Sequence, residues 1–400
     1  MKKRILSSLL LLVLLIQLLP VYASAAEVTI NIYNWGQYIA DGTDDTIDVI
    51  AEFEKAYPNI KVNYMTFEDN ESMYTKLKTG GSSFDLIIPS DYMVEMLIAE
   101  DMLVPLNFDN IPNFAKVDDA FKNPSYDPEN LYSVPYTWGS VGVIYNSKYV
   151  DEADTGSWDL LWNEKYKGNI LMFGNPRDAF AIAELSLGYS LNTEDPDELR
   201  ASYEKLKAQK GCVQAYVMDE VFGKMERGEA WIAPYYAGDY MTMAEENPDL
   251  KFYFPEEGFN LFVDAMCIPK GCEHQKEAEL FINFLCKPEI CGGNLDYICY
   301  SAPISAAKEY IDESMAESDV VYPSEEIIAR GQSFSALSPE ATSDMNEFWL
   351  LVKISDKNTV TLLVLTIAAI LLIIFLWLTF KVRKKKQKAK RCKIWKQSVA

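Results

Sequence analysis

The sequence of 400 residues contains a single histidine, His274, in the stretch Cys272–Gln275. A histidine-based metal cluster needs more than one such side chain, and a histidine-based catalytic triad would have to pass through this residue. The chain also lacks a Gly-x-Ser-x-Gly elbow, a Gly-x-x-x-x-Gly-Lys phosphate loop and a Gly-x-Gly-x-x-Gly dinucleotide motif. These absences argue against the common enzyme classes, and the sequence predicts no metal site and no cofactor.

Basic side chains are scarce in the long middle part of the chain. Residues 27–355 contain 23 Lys and Arg against 58 Asp and Glu, which gives a net charge of about −35. Such a field repels nucleic acid and anionic solutes and attracts cations. The composition therefore predicts no nucleic-acid partner and is compatible with a cationic ligand.

The first 26 residues predict a secretory signal peptide. A basic start is followed by an apolar run from Leu6 to Leu19 and by small residues around Ala25. No cysteine stands directly after that run, near the expected cleavage site, so the sequence does not predict an N-terminal lipid anchor. The chain after residue 26 is expected to lie outside the cytoplasm.

The C-terminal part predicts a membrane anchor. Residues 360–380 are apolar apart from threonine, and 21 residues at about 1.5 Å each span a hydrocarbon core of about 30 Å. Residues 381–400 hold ten Lys or Arg and no acid, which predicts a basic cytoplasmic tail. With 351–359 as a linker, we expect a single-pass cell-membrane protein, held by a C-terminal transmembrane helix.

The cysteines leave the redox state open. Six lie in the predicted outer part, at positions 212, 267, 272, 286, 291 and 299, and Cys392 lies in the basic tail. An exported domain can form disulfides, but a domain of this size does not need them. The sequence therefore predicts no particular pairing.

Strand-like and helix-like segments alternate after the signal peptide. Val28–Tyr33 alternates as a strand, 44–57 has helical spacing, and 60–67 and 84–88 again resemble strands. A second series of the same kind follows over about residues 169–254. This order predicts two α/β lobes with mostly parallel sheets. Ligands of such sheets bind beyond the carboxyl ends of the strands, so residues after strands are candidates for a binding site.

Aromatic and acidic side chains stand at these candidate positions. Trp35 and Tyr38 follow the first strand, Ser90 and Tyr92 follow the third, and others come later: Trp138, Tyr236, Asp239, Phe262, Asp264 and Tyr300. An organic ammonium ion needs aromatic faces against its charge and methylenes, and a carboxylate to pair each amine. Each aromatic taken alone is more often a core residue, so the pattern by itself leaves both interpretations open.

A series of motifs in the same order resembles the periplasmic spermidine/putrescine-binding proteins over about residues 28–350. The motifs are Tyr33 to Trp35, Glu68 to Thr79, Asp85 to Tyr92, Pro135 to Gly139, Trp158 to Trp162, Asn175 to Asp178 and Asp264 to Pro269. The resemblance implies an α/β, two-lobed type II periplasmic-binding fold with a ligand cleft between the lobes. Lobe 1 would comprise residues 27–136 with a return segment over 267–325, and lobe 2 residues 137–266 with 326–350.

The resemblance also implies which side chains bind the ligand. Trp35 and Tyr38 correspond to one aromatic wall, and Ser90 and Tyr92 to hydroxyl contacts beside it. The remaining implied contacts are Asp178, Tyr236, Phe262, Asp264 and Tyr300, with Asp264 pairing an amine. Tyr236 and Phe262 each stand where the family usually has a tryptophan, and Asp178 where it usually has a glutamate.

Three positions depart from the family pattern. Asn175 stands where spermidine binders often have an aspartate, Met218 replaces a serine, and Phe334 lies near an expected glutamine. These differences leave open which polyamine binds best. Asp239 is a candidate to restore the missing negative charge, which we state as a hypothesis.

The implied function is an extracytoplasmic polyamine receptor of an ABC importer, which captures ligand by hinge closure and delivers it to permease subunits. The chain has no ATP-binding loop, so the pore and the ATPase are expected to be separate chains. In the same fold class, Tyr235 with Tyr236 offers an alternative as a ferric-ion site, and Arg177 as a partner for an anionic solute. A membrane sensor and an enzyme are the remaining alternatives.

Overall fold

The computed structural model describes residues 27–43, 46–80 and 83–354, and seven positions between 365 and 381. Its strands, within these residues, are β1 (Val28–Trp35), β2 (Ile60–Phe67), β3 (Leu86–Ile87), β4 (Ser133–Asn146), β5 (Ile170–Phe173), β6 (Val213–Val217), β7 (Ile232–Tyr236), β8 (Leu250–Tyr253), β9 (Phe259–Cys267) and β10 (Gly331–Gln332). Its α-helices are α1 (Val49–Ala56), α2 (Asn70–Thr79), α3 (Asp91–Ala99), α4 (Pro176–Ser186), α5 (Pro196–Gln209), α6 (Glu220–Glu226), α7 (Ala237–Glu246), α8 (Gln275–Leu285), α9 (Pro288–Ile298), α10 (Glu313–Ala316), α11 (Glu325–Ile328) and α12 (Pro339–Ile354).

The chain divides into two compact units. Unit 1 comprises Met1–Gly139 and Phe262–Pro323, and unit 2 comprises Ser140–Leu261 and Ser324–Ala400. Two of the three crossings fall inside strands, β4 and β9. The sequence had placed the three crossings at 136/137, 266/267 and 325/326.

Unit 1 contains a parallel sheet in which β1 is the central strand. β1 pairs with β2 over its whole length, from Val28 opposite Ile60 to Trp35 opposite Phe67, and pairs with β3 on its other side. Antiparallel β9 continues the sheet next to β3. The three parallel strands run in one direction, so their carboxyl ends lie at one edge of the sheet.

Two local signals set where helix α2 begins, just after β2, and where it ends. The Asp69 carboxylate accepts a hydrogen bond from the backbone N–H of Ser72 (2.6 Å), which caps the start of α2. Gly80 ends the same helix in the left-handed region, with φ of 67°, which glycine adopts without steric cost. The apolar side of the sheet packs in a buried cluster that includes Tyr33, stacked on Phe84 with 4.4 Å between ring centroids.

Unit 2 has a sheet in which β5 lies between β6 and β7, parallel to both, while β4 runs antiparallel to β7 and β8. All four residues of β5 are fully buried, as expected for a central strand covered on both faces. Helix α4 starts directly after β5, because Asn175 Oδ1 accepts a hydrogen bond from the N–H of Asp178 (2.8 Å) and Pro176 occupies the first helical position.

The predicted transmembrane helix over residues 360–380 is wrong for the part of the chain that the structure describes. No helix among those residues is both long enough and apolar enough to cross a membrane. Helix α12, the last long one described, has 16 residues, or about 24 Å, and contains Glu340, Asp344, Glu347 and Lys353. Within the predicted span, the described positions are Leu365, Thr366, Ala369, Ile370, Leu372 and Trp377. The single-pass topology inferred from that span is withdrawn with it.

Other expectations for the two ends fall on residues that the structure does not describe. The predicted signal peptide over 1–26 lies outside the described residues, and so does the predicted basic tail apart from Lys381. Helix α12 extends to Ile354, four residues into the segment predicted as a linker over 351–359. The six cysteines between 212 and 299 are free thiols in the structure, most of them buried.

Candidate functional site

The candidate residues of unit 1 gather at the carboxyl edge of its parallel sheet. Trp35 ends β1, Tyr38 follows it, and Ser90 lies just beyond β3. Asp264, in β9, forms an antiparallel bridge with Ser90. The topology therefore brings segments from three distant parts of the sequence to one edge of the sheet.

A buried hydrogen-bond chain links Tyr38, Asp264 and Thr137. The Tyr38 hydroxyl donates to Asp264 Oδ2 (2.7 Å) and lies 2.6 Å from Thr137 Oγ1. An ionised carboxylate can only accept hydrogen bonds, so the Tyr38 hydroxyl donates to Asp264, and the Thr137 hydroxyl donates to Tyr38. Burial raises the pKa of Tyr38 well above its usual value, and the nearby Asp264 charge raises that pKa further. Tyr38 is thus fixed as a neutral donor to the carboxylate.

Further hydrogen bonds hold the backbone of Tyr38. The Tyr136 hydroxyl donates to the Tyr38 carbonyl oxygen (2.6 Å), and Asn294 Nδ2 in turn donates to the Tyr136 hydroxyl (2.8 Å). The Asn34 side-chain amide also donates to the same carbonyl (3.3 Å). Because all of these groups are buried, each bond restricts where the Tyr38 ring can lie.

Aromatic rings pack against Tyr38 and against one another. Tyr300 packs edge-on against Tyr38 with 5.0 Å between centroids, and Phe262 packs against Tyr300 at 6.2 Å. Gly139 permits this arrangement, since a Cβ there would lie 2.7 Å from Phe262 Cζ. Trp35 packs against Phe67 (4.6 Å) at the margin of the core cluster. The structure thus brings Tyr38, Phe262, Asp264 and Tyr300 together.

The predicted hydroxyl contacts, Ser90 and Tyr92, belong to a second network of unit 1. Asn70 Nδ2 donates to both hydroxyl oxygens, at 3.1 Å each, and the N–H of Ser90 donates to Asn70 Oδ1 (3.2 Å). The Tyr92 hydroxyl donates to Oε1 of Glu71 (3.0 Å). Ser90 and Tyr92 are therefore coupled to each other through one buried amide.

In unit 2, Asp178 lies buried in the first turn of α4 and accepts two hydrogen bonds on Oδ2. One comes from Asn175 Nδ2 (2.8 Å) and the other from the Tyr236 hydroxyl (3.0 Å). Burial raises the pKa of Asp178, while these two hydrogen bonds and the charge of Arg177 act in the opposite direction. Asn175 Nδ2 also lies 3.6 Å from the sulfur of Met218. Two of the three positions that depart from the family pattern, Asn175 and Met218, therefore contact each other, and Asn175 contacts this carboxylate.

Tyr236 and Asp239 lie close together where β7 passes into α7. The Tyr236 ring packs against Phe173 (5.2 Å) and Tyr235 (4.9 Å). Asp239, half-buried in the first turn of α7, is near enough to raise the pKa of Tyr236, although burial and the charge of Asp178 raise that pKa more. Asp178, Tyr236 and Asp239 therefore form one polar group in unit 2.

Arg177 is next to Asp178 in sequence, but its described hydrogen bonds lead elsewhere. Its guanidinium donates to Asn192 Oδ1 (2.8 Å) and to the Ser335 carbonyl oxygen (3.1 Å). The same group lies over the Phe334 ring, 4.2 Å from the centroid. Arg177 thus ties α4 to the segment around residue 335.

Sequence reasoning missed several residues of these networks. Asn70 and Glu71 follow β2, at the same sheet edge as the predicted residues after β1 and β3, so the strand-end rule could have found them. Thr137 and Asn294 gave no such signal, because their roles depend on contacts with residues distant in sequence. Thr137 contacts Tyr38, 99 residues away, and Asn294 contacts the backbone N–H of Ala40, 254 residues away.

The Asp264 group of unit 1 and the Asp178 group of unit 2 each have the chemistry to bind a cation, and binding requires no reaction. Carboxylates and hydroxyl oxygens accept hydrogen bonds from ammonium groups, and the rings offer π-faces to charge and methylenes. Among the described residues, no group of three or more His, Cys, Asp or Glu side chains could hold a metal ion. The geometry favours a binding site for an organic cation.

Comparison with known proteins assigns the family. The model of the bacterial extracellular solute-binding proteins matches residues 48–318. The spermidine/putrescine-binding periplasmic protein of Salmonella typhimurium is 33% identical over 305 residues, which cover 76% of this chain and 86% of that protein. The chain belongs to the bacterial extracellular solute-binding protein family.

Solved structures of this family show the same fold. A structure from Listeria monocytogenes, assigned to a spermidine/putrescine ABC transporter, has a TM-score of 0.78 and 35% identity, and the match covers 82% of this chain and 99% of that one. The spermidine/putrescine ABC transporter substrate-binding protein of Streptococcus pneumoniae has a TM-score of 0.69 and 36% identity over the same shares. The resemblance predicted from the motifs is confirmed, and so is the α/β periplasmic-binding fold with two lobes.

Proposed function

We propose that this chain is the extracytoplasmic receptor of an ABC importer for polyamines, with spermidine and putrescine as the leading candidates. The observation that carries the proposal is the buried Asp264 carboxylate, which accepts a hydrogen bond from Tyr38. The Tyr38 ring packs against Tyr300, which in turn packs against Phe262. A carboxylate beside aromatic rings is what a protonated amine with an alkyl chain requires. The relatives named above are spermidine/putrescine proteins, which supports the same ligand class.

Each unit supplies a partner for an ammonium group in this proposal. In unit 1, Asp264 pairs an amine, Trp35, Tyr38, Phe262 and Tyr300 contact the ligand as aromatic rings, and Ser90 and Tyr92 contact it through their hydroxyls. In unit 2, Asp178, Tyr236 and Asp239 have the corresponding roles. Burial disfavours the ionised form of Asp178 in the empty protein, and an ammonium ion beside it offsets that cost.

The proposed role is transport without catalysis. Ligand binding shifts the population of receptor conformations, and permease subunits recognise the loaded form. A separate cytoplasmic ATPase drives the permease, since this chain contains no ATP-binding loop. No bond of the ligand is made or broken.

The geometry favours polyamine over ferric ion and over anions. A ferric site built on Tyr235 and Tyr236 needs phenolate oxygens, yet burial raises the pKa of both hydroxyls well above the usual value. The Tyr236 hydroxyl also donates a hydrogen bond to Asp178, which requires it to keep its proton. An anion would have to approach Arg177 next to the buried acid Asp178, where like charge opposes it.

A thermal-shift panel on the full chain tests the proposal. The chain is heated alone and with putrescine, spermidine, glutamate or ferric citrate, since a ligand that binds the folded state raises the melting temperature. We expect an increase of several degrees with at least one polyamine and no comparable increase with glutamate or ferric citrate. Stabilisation by glutamate or ferric citrate alone would refute the proposal.

A further inference from the structure

Glu71 follows β2, the remaining parallel strand of the unit 1 sheet, at the carboxyl edge of that sheet. Tyr38 follows β1, Ser90 and Tyr92 follow β3, and Glu71 follows β2, which pairs with β1 over eight residues. Because these strands are parallel neighbours, their following residues share one edge. Glu71 therefore lies at the same edge as residues assigned to the ligand, although no family motif pointed to it as a contact.

Hydrogen bonds connect Glu71 to those residues. Its Oε1 accepts from the Tyr92 hydroxyl (3.0 Å), whose oxygen accepts from Asn70 Nδ2 (3.1 Å), and the same amide donates to Ser90 Oγ (3.1 Å). Asn70 is 4% exposed, so it is a rigid link rather than a solvated surface group. Three bonds of these lengths place Glu71 Oε1 at most about 9 Å from Ser90 Oγ.

Asp264 lies next to Ser90 at the same edge of the sheet. Ser90 and Asp264 are bridge partners on adjacent backbone segments, so their Cα atoms lie about 5 Å apart. At this edge of unit 1, the hydroxyls of Ser90 and Tyr92 thus stand between the carboxylates of Asp264 and Glu71. A polyamine segment with an ammonium group at each end matches this order of groups: carboxylate, hydroxyls, carboxylate.

The direction of the protons suits a ligand that only donates. The Tyr92 hydroxyl donates its hydrogen bond to Glu71 and accepts one from Asn70, so toward any further group its oxygen can only accept. A carboxylate oxygen accepts more than one hydrogen bond, and Glu71 can hold Tyr92 and an ammonium group at once. Glu71 is half-buried, which strengthens such a pair relative to one at the open surface.

We infer that Glu71 is a specificity-determining residue of unit 1, which pairs an ammonium group in addition to the one at Asp264 and so favours a triamine over a diamine. The inference rests on the proposed function and deepens it, because it names the residue that discriminates between ligands with different numbers of amines. A triamine such as spermidine has one more amine than a diamine such as putrescine, and Glu71 is the partner of that additional amine.

Titration calorimetry on the full chain tests this inference, with spermidine and putrescine as probes. The variant is Glu71→Gln, which keeps the shape of the side chain and removes its charge. Glu68→Gln is the matched control, because it removes the same charge from an exposed acid three residues earlier in the sequence. We expect Glu71→Gln to weaken spermidine binding by about tenfold and putrescine binding by less than about twofold. The control should leave the ratio of the two affinities unchanged.

The outcomes separate the inference from the proposed function. Wild-type protein that binds neither polyamine refutes both. Wild-type protein that binds polyamine, combined with an unchanged ratio of affinities in Glu71→Gln, refutes the inference alone. An equal change in Glu68→Gln and Glu71→Gln also refutes it, because the effect would then come from the general acidic field.

Discussion

The Tyr38 hydroxyl donates a hydrogen bond of 2.7 Å to Asp264 Oδ2 across 226 residues of sequence. Both side chains are more than 90% buried, so this contact belongs to a fixed interior and not to a fluctuating surface. Thr137 supplies the second hydrogen bond of Tyr38, and the donor order leaves Asp264 as the acceptor at the end of the chain. A ligand ammonium group that reaches Asp264 meets a carboxylate whose position is already set.

Asp264→Asn should abolish most of the polyamine affinity. The amide cannot pair an ammonium charge, and the loss of one partner of a buried charge pair costs about 2 to 5 kcal/mol, or at least about thirtyfold in Kd. Titration calorimetry with spermidine and putrescine measures the change. Asp119→Asn is the control, because the Asp119 side chain is 98% exposed and should bind as wild type does. Wild-type affinity in Asp264→Asn would contradict the assignment of this carboxylate.

Asp178→Asn tests the unit 2 group in the same way. The variant keeps the contacts with Asn175 and Tyr236 within reach but removes the charge, and we expect Kd for polyamines to rise by about tenfold to a hundredfold. Burial disfavours the charge of Asp178 in the empty protein, so the variant should melt at the wild-type temperature or above it without ligand. Scanning calorimetry on ligand-free protein checks the second part, and a much lower melting temperature would show a structural role instead.

By hypothesis, Asp239 replaces the charge of the aspartate that spermidine binders often have at position 175. If it supplies the missing charge, Asp239→Ala should weaken polyamine binding by about threefold to tenfold, less than the buried carboxylates do, because Asp239 is only half-buried. Calorimetric titration with putrescine and spermidine measures this. Unchanged affinity for every polyamine would show that the hypothesis is wrong.

Glu184, on α4, should make the stability of the protein depend on pH. It is fully buried, neither carboxylate oxygen has a hydrogen-bond partner among the described residues, and burial raises its pKa to about 8. The Arg177 charge acts against this shift, and the Glu198 charge adds to it. Between pH 4.5, near the unfolded value, and about 8, the folded state keeps a proton that the unfolded chain has lost, so stability falls as pH rises.

Glu184→Gln removes this proton linkage. Relative to wild type, we expect its melting temperature to be higher at pH 8 and nearly equal at pH 5, as measured by scanning calorimetry. Glu245→Gln, at an exposed position of α7, is the control and should follow wild type at both pH values. A constant difference between Glu184→Gln and wild type across this range would contradict the explanation.

The sequence predicted the elements of the fold better than the connections between them. Val28–Trp35 and Ile60–Phe67 were recognisable because alternation along a strand is a local pattern, and the rule that sites follow strands pointed to Tyr38 and Ser90. Applied to β2 as well, that rule would have added Glu71. Thr137 and Asn294 could not be found, since what makes them part of the site is contact with Tyr38 and its neighbours in the folded chain.

The error at the C-terminus has a different origin. Hydropathy over 360–380 is a property of composition, and it was read as a continuous helix across a membrane. Among the described residues, the last long helix is α12, which ends at Ile354 and is neither long enough nor apolar enough to span one.

The most direct test of the central claim is a crystal structure of the chain with spermidine bound. The account predicts an ammonium nitrogen within hydrogen-bond distance of an Asp264 carboxylate oxygen, and ligand methylenes against the rings of Tyr38 and Tyr300. Spermidine bound elsewhere, with no nitrogen near the Asp264 carboxylate, would contradict it.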